Sequence, residues 1–261
     1  MRSLSIGATG MLAQQLNVDV ISNNIANMNT TGYKRRRAEF AGLLYQDQRR
    51  VGSASSDTGT IVPAGVQIGV GVKPTAIYRI VEQGSLQITD NPLDIAIQGK
   101  GYLEVELPSG DIGYTRAGAL TRSADGTIVT ADGYTIMPGI TIPEDATSVT
   151  INATGEVYIK LDGQVAPQNV GQLELATFVN EGGLQAIGDN YFLETVASGG
   201  AIVATPGSPG FGTVQQGFLE ISNVNVVSEI TNLITAQRAY EMNSKVIQAS
   251  DDMMGTLTQL R

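Results

Sequence analysis

Cysteine, histidine and tryptophan are absent from the 261 residues. Without thiols there is no disulfide framework, and without thiolate or imidazole the strong transition-metal ligands are missing. Nucleophilic schemes built on Ser-His-Asp or Cys-His pairs are excluded with them. No stretch approaches the ~18 apolar residues that span a membrane. The first residues, MRSLSIGATGMLAQQ, lack the unbroken apolar core of a cleaved signal peptide. These absences predict no cofactor, no bound metal, no direct membrane insertion, and either a cytoplasmic protein or one exported without a cleaved signal.

Positive charge is scarce after residue 50. Residues 1–50 hold seven Lys/Arg and three Asp/Glu, for +4, and residues 51–261 hold nine and twenty-two, for −13. An acidic body argues against a nucleic-acid partner. Hydrophobic content of 42% is that of a folded chain, and 31 glycines announce many turns.

The longest proline-free pattern is at the end. Val226, Leu233, Tyr240, Ile247 and Met254 recur every seventh residue, with Ala239, Val246, Met253 and Leu260 as a second column and Ile230, Ile234 and Leu257 filling in. Two apolar columns at heptad spacing describe a helix that needs a partner helix. Its flank is interrupted by Gln237, Ser244 and Asp251, which favours several neighbours over a two-stranded zipper. Near the start, Leu4, Ala8, Met11, Val18, Ile21, Ile25 and Met28 follow helical spacing. That helix, predicted over 4–29 and closed by Gly32 in a left-handed cap, is the expected partner. Gly7, Gly10, Asn17, Asn23, Asn24 and Asn27 weaken it. Both chain ends are therefore expected to order only on assembly.

Residues 33–72 read as a connecting segment with an extended, hairpin-like arm, carrying Tyr45, Gln46, Arg49, Arg50, Pro63, Gly65, Gly69 and Gly71. Gly69-Val-Gly71 lacks the third glycine of a dinucleotide loop, and Lys73-Pro74 stands where its helix should open. Residues 73–221 read as an all-β domain of about ten or more strands. Alternation marks Leu93–Ile97, Tyr102–Leu107 and Glu156–Leu161, and turns are expected at Asp125-Gly126, Asp132-Gly133 and Asp162-Gly163. A last strand is predicted over Thr213–Glu220, with Ser222-Asn223 capping the final helix. The fold class is α+β, mainly β: an elongated β-rich domain on a helical stalk of 1–32 paired with 222–261.

Few residues suggest chemistry. Glu104 and Glu106 share one strand face and could be an acid–base pair in a glycan-processing enzyme, or simply a solvated face. Lys34–Arg37 could meet phosphate, solvent or acidic neighbours. Asn29-Thr-Thr31 and Asn152-Ala-Thr154 match the N-glycosylation pattern, which is common by chance. No catalytic constellation emerges. A β body on a stalk made from both chain ends suits the subunit of a homo-oligomeric polymer.

Three blocks carry a family resemblance. NNIANMNTTGYKRRRAEF (Asn23–Phe40) resembles the N-terminal signature of the flagellar basal-body rod and hook axial family. Asn91–Ile136, from NPLDIAIQGKGYLEVEL to DGYTI, is similar to that family's β core, and Ser222–Met254 to its C-terminal helix. Within the family the length excludes short proximal subunits and the longer hook protein, and segment 43–72 resembles the insertion that separates distal rod from hook. A proximal subunit of comparable length is the alternative. The resemblance implies a helical polymer in the basal body, crossing the periplasm and exported by the flagellar type III apparatus. It implies proximal rod proteins, the hook protein or its junction, and the surrounding P-ring and L-ring proteins as partners. Torque would pass through an inner tube of helices, stiffened by the arm.

Overall fold

The computed structural model describes residues 2–50, 64–164 and 166–259. The chain forms two compact units, one of Met1–Ile25, Arg36–Tyr78 and Asn225–Arg261, the other of Ala26–Arg35 and Arg79–Val224. Two long helices and many short strands make the fold α+β, mainly β.

The first unit contains α1 (Arg2–Ala26) and α2 (Val226–Gln259). Between them in sequence lie β1 (Arg36–Gly42), β2 (Tyr45–Arg49), β3 (Val66–Gly69) and β4 (Val72–Arg79). The first helix stops three residues before the expected Asn29. Its end turns at Asn27, whose carbonyl accepts Thr30 N–H at 3.3 Å and whose Oδ1 accepts Thr30 Oγ1 at 3.1 Å. Such local bonds are why asparagine ends helices. Met28, expected on the helical face, therefore lies in this turn. The second helix is capped by Asn225, whose Oδ1 accepts Ser228 N–H at 3.1 Å, and not by Ser222-Asn223.

β1 lies beside β4, and β2 pairs antiparallel with β3, with Tyr45 opposite Gly69. Leu43 N–H to Gly71 C=O (2.8 Å) and Val70 N–H to Leu44 C=O (3.2 Å) continue the ladder between the pairs. Every residue of β2 is exposed, Tyr45 included, as is Leu44 just before it. Pro63 lies outside the described residues.

The second unit runs through β5 (Leu86–Ile88), β6 (Ile95–Gln98), β7 (Tyr102–Glu106), β8 (Ile112–Thr115), β9 (Leu120–Arg122) and β10 (Ile128–Thr130). It continues through β11 (Ala146–Ile151), β12 (Glu156–Leu161), β13 (Gln168–Gln172), β14 (Leu175–Thr177), β15 (Gln185–Gly188) and β16 (Tyr191–Leu193). β17 (Ile202–Ala204), β18 (Thr213–Gln216) and β19 (Phe218–Glu220) complete it. The largest sheet has the order β15-β16-β8-β7-β14-β17, and β11-β12-β13 form another. Alternation on β7 sends Leu103 and Val105 into the main core, with Ile128, Val157, Ile159 and Leu175. Tyr102 goes to the opposite face, where Tyr114, Phe178 and Phe192 pack edge to face at 4.8–6.1 Å.

The single strand expected over 213–220 is two. Gly217, at φ +73°, breaks it, so that β18 pairs with β6 and β19 with β5.

Candidate assembly interface

The helix pair is held at both ends of its overlap by contacts that a search for apolar periodicity does not find. Near the end of α1, Asn24 is 1% exposed. Its Nδ2 donates to Arg36 C=O at 2.8 Å and to Glu229 Oε2 at 3.3 Å, while its Oδ1 accepts Arg36 N–H at 2.8 Å. One side chain thus ties α1 to β1 and to α2. Near the start of α1, glycines let α2 come close: a Cβ on Gly10 would sit 2.8 Å from Asn243 Nδ2, and one on Gly7 2.9 Å from Ile247 Cγ1. A third glycine, Gly71 at φ +134°, brings the ribbon against Thr9, whose Oγ1 accepts Val72 N–H at 3.4 Å. Close backbone approach, and not a nucleotide, is what Gly71 is used for.

The seam inside the subunit is therefore small and polar. On α1 the buried positions are Gly7, Ala13, Val20, Ile21 and Asn24. On α2 they are Glu229, Ala236 and Ser250, in heptad phase with the half-buried Asn243. The expected first column is mixed: Val226, Leu233 and Ile247 are half-buried, Tyr240 and Met254 exposed. Of the expected second column, Ala239 is half-buried while Val246 and Met253 are exposed. Ile230 and Ile234 are exposed too, as are Val227 and Met242. On α1, Ile21 is buried, Leu4, Met11, Val18 and Ile25 are half-buried, and Leu12 is 67% exposed. Leu257 lies where only the backbone is described. α2 thus presents exposed apolar side chains that no other described residue covers.

Of the arm residues, Tyr45, Gln46 and Arg49 sit on β2 and Gly69 ends β3, while Arg50 and Gly65 flank the two strands and Gly71 precedes β4. Arg37 and Glu39 of β1 meet Tyr78 of β4 across the ribbon, with Tyr78 Oη donating to Glu39 Oε1 at 3.1 Å and the Arg37 guanidinium over the Tyr78 ring.

The second unit contains a buried charge cluster in which the sequence pointed to Lys34 but not to Arg116 or Glu220. Lys34 was expected in solvent or against phosphate or acidic neighbours; its side chain is 2% exposed, and Nζ reaches Glu220 Oε1 at 2.5 Å and Glu82 C=O at 2.8 Å. Arg116 Nε meets the other carboxylate oxygen at 2.5 Å and donates from its terminal nitrogens to the carbonyls of Ile97, Gly99 and Gly101. Burial first, then Arg116, lowers the Lys34 pKa below 10.5, against the raising effect of Glu220. Around the cluster, Gly32 N–H donates to Glu220 C=O at 2.8 Å, and Asn223 Oδ1 accepts Arg35 N–H at 2.7 Å. Gly32 does take a left-handed conformation, φ +70°, but six residues past the helix. A Cβ there would strike the Arg116–Ala117 backbone at 2.9 Å. The cluster makes every bond with the protein's own groups and is built to hold chain segments together.

The remaining candidates dissolve in the same way. Glu106 is exposed, but Glu104 is 93% buried, and burial followed by Glu174 raises its carboxyl pKa. Tyr114 stands opposite it on β8, and Glu174 is the acid close enough to act on it. Asn152 is occupied by its own loop, accepting Thr154 and Glu156 N–H and donating to Glu156 Oε2 at 2.6 Å. No described helix is long and apolar enough to cross a membrane.

Comparison with known proteins accounts for a chain whose best-built features are contacts. Residues 4–34 match the family model described as flagella basal body rod protein, and residues 215–260 the flagellar basal body rod FlgEFG protein C-terminal model. Residues 96–159 match the D1 domain of the flagellar hook protein FlgE/F/G. The flagellar basal-body rod protein FlgG of Caulobacter vibrioides is 62% identical over 261 residues, covering 100% of both chains. The chain belongs to the FlgG family. The protein of the same description from Agrobacterium fabrum is 51% identical over 99% of each chain, and that from Bacillus subtilis 40% over 100% of this chain and 99% of its own. A member of this family is a structural subunit of the flagellar distal rod and not an enzyme. Its two terminal models coincide with α1 and α2, the elements that form the seam and the uncovered stripe.

Proposed function

We propose that copies of the chain assemble through α1 and α2 into a rigid helical tube that transmits torque from the motor to the hook. The observation that carries this reading is the apolar stripe Val227, Ile230 and Ile234, exposed on a helix already paired with α1, with Val246 and Met253 exposed on another side of it. A soluble monomer rarely exposes such a stripe without a use for it. The contacts would draw on Leu4, Met11, Val18, Ile21, Ile25 and Met28 at one chain end and Val226, Ile230, Leu233, Tyr240, Ile247, Met254 and Leu257 at the other. In this reading residues 1–32 and 222–261 act as the assembly domain and 73–221 as the β domain.

The ribbon around Tyr45–Arg49 and Gly65–Gly71, with Arg50 and Pro63, serves as a stiffening arm between axially adjacent copies. A two-stranded ribbon with exposed residues on β2 has little core of its own and gains stability from a neighbour. The subunit works in the rod that crosses the periplasm, reached through the type III export apparatus. It joins proximal rod proteins at one end and the hook protein or its junction at the other. The −13 balance of residues 51–261 suits a surface only loosely held by the P-ring and L-ring proteins around it.

Electron microscopy of the assembled protein tests the reading. Straight tubes lined by helices are expected, and their loss in the Ile230→Asp, Ile234→Asp double variant with the monomer still folded. Tubes that form unimpaired in that variant would sink the role given to the stripe.

A further inference from the structure

Within the largest sheet, β7 changes partners part-way along. Tyr102 and Leu103 pair with Ala176 and Leu175 of β14. One residue further on, Glu104 C=O accepts Met137 N–H at 2.9 Å, Val105 bridges Ile136, and Glu106 N–H donates to Thr135 C=O at 2.9 Å. The chain ahead of β14 diverges too, since Leu173 N–H donates to Gly155 C=O at 2.8 Å. Continued by one position, the β7–β14 register sets Glu104 opposite Glu174. The ladder therefore ends where two carboxyl groups face each other. Opposite positions on antiparallel neighbours lie about 5 Å apart at Cβ, and like charges there repel.

The surroundings leave the charge of this pair unanswered. Glu104 is 7% exposed, Glu174 is half-buried, and no described residue donates a hydrogen bond to either carboxyl. On β8 the group opposite Glu104 is the Tyr114 phenol, kept neutral because burial, Glu104 and Glu194 push its pKa up to about 12. Along β7 the same face carries the exposed Glu106 and Tyr102, whose Oη donates to Glu181 Oε2 at 3.1 Å. Thr135, Ile136 and Met137, and Ala204 and Thr205 at the end of β17, bring no ionisable group. Arg79, a cation on this face, lies over the Phe192 ring and acts on Tyr102, not on Glu104. Burial first and Glu174 second raise the Glu104 pKa, as they do for a carboxyl beside another with no cation between them.

We propose that Glu104 and Glu174 form a proton-operated latch at this fork: a proton shared between the carboxyls ties β14 to β7, and its loss to solvent releases β14. While the proton stays, one charge-assisted hydrogen bond stands in place of two like charges. The part released is small. β14 meets β7 over two residue pairs, and among the described strands β17, at the edge of the sheet, pairs with β14 alone. Short edge ladders open locally at little cost, without unfolding the core beside them. A carboxyl whose folded pKa lies above 4.5 keeps the latch closed below that pH and loosens it as pH rises through the folded pKa. This edge of the β unit is thus firm in acid and loose toward neutral pH.

Hydrogen exchange on the full chain, kept dilute and unassembled, tests the latch. Amide protection at 174–177 and 202–204, corrected for the intrinsic pH dependence of exchange, should fall roughly tenfold or more between about pH 4.5 and pH 7.5. Protection on β8 (Ile112–Thr115) should hold over the same range. In Glu104→Gln, whose amide donates a hydrogen bond at every pH, protection at 174–177 and 202–204 should stay high throughout. The same fall in that variant, or no fall in the unaltered chain, overturns the proposal. A second measurement does not need that variant to fold. The Glu104 carboxyl carbon, followed by NMR, should titrate above 4.5 in the unaltered chain and move back toward 4.5 in Glu174→Gln. A midpoint that Glu174→Gln leaves in place overturns the pairing.

Discussion

Lys34 and Glu220, separated by 186 positions in the chain, meet at 2.5 Å with side chains 2% and 1% exposed. Arg116 holds the other oxygen of the same carboxylate, so one negative charge serves two buried cations. Removing that charge while leaving the cations buried should be expensive. Glu220→Gln is expected to destabilise the second unit by about 3–5 kcal/mol, measured by urea unfolding. Because burial lowers the Lys34 pKa, its folded form binds fewer protons than the unfolded chain just below pH 10.5. Lys34 therefore contributes a stability that increases as pH rises toward 10.5, and Lys34→Met should remove this dependence.

Gly10 and Gly7 set how closely the helices approach. Gly10→Leu would drive a side chain into Asn243, and Gly7→Val one into Ile247. Each should cost about 1–3 kcal/mol by overpacking, read as a lower Tm of the helical signal. An unchanged Tm would mean that the seam is looser than the glycine contacts require.

Glu104 is a carboxyl held where its charge is unwelcome. Its pKa is raised by burial and by Glu174, so the stability it contributes is full below pH 4.5 and declines as pH rises. Glu104→Gln should therefore be more stable than the unaltered chain at pH 7, with the difference closing toward pH 4. Urea midpoints at the two pH values check this.

Deleting 47–63 should leave both compact units folded and yield a curved or flexible polymer in place of a straight one. Electron micrographs showing a rod as straight and stiff as before would remove the bracing role from the arm.

In the free monomer, α2 has little to pack against along its apolar stripe. Its amide protons should exchange at least a hundredfold faster in the monomer, where α1 packs against it, than in the polymer. Equal protection in both states would count against ordering on assembly.

The β unit and the existence of both helices were legible because alternation and heptad spacing record where apolar side chains go. Glu156–Leu161 was read to the residue, and the three Asp-Gly turns lie where expected, each glycine at positive φ. The inner seam was only partly legible: Ile21 and Ile247 carry an apolar signal, but the rest of it does not. Gly7, Gly10 and Asn24 read as helix-weakening residues, yet two permit close approach and the third bonds two other elements at once. The apolar columns of α2 led instead toward its outer face, where Val246 and Met253 are exposed. Lys34, in a run of four basic residues, read as solvated or against an acidic neighbour; only the fold shows that the neighbour is Glu220 and that both are buried.

The Lys34–Glu220 contact also makes the subunit sensitive to its own completeness. A copy truncated before residue 220 would retain Lys34 and Arg116 with no carboxylate between them, and β5 would lack its partner strand β19. Such a copy cannot finish folding the unit that both cations sit in. This arrangement withholds a stable fold from any copy that ends before Glu220.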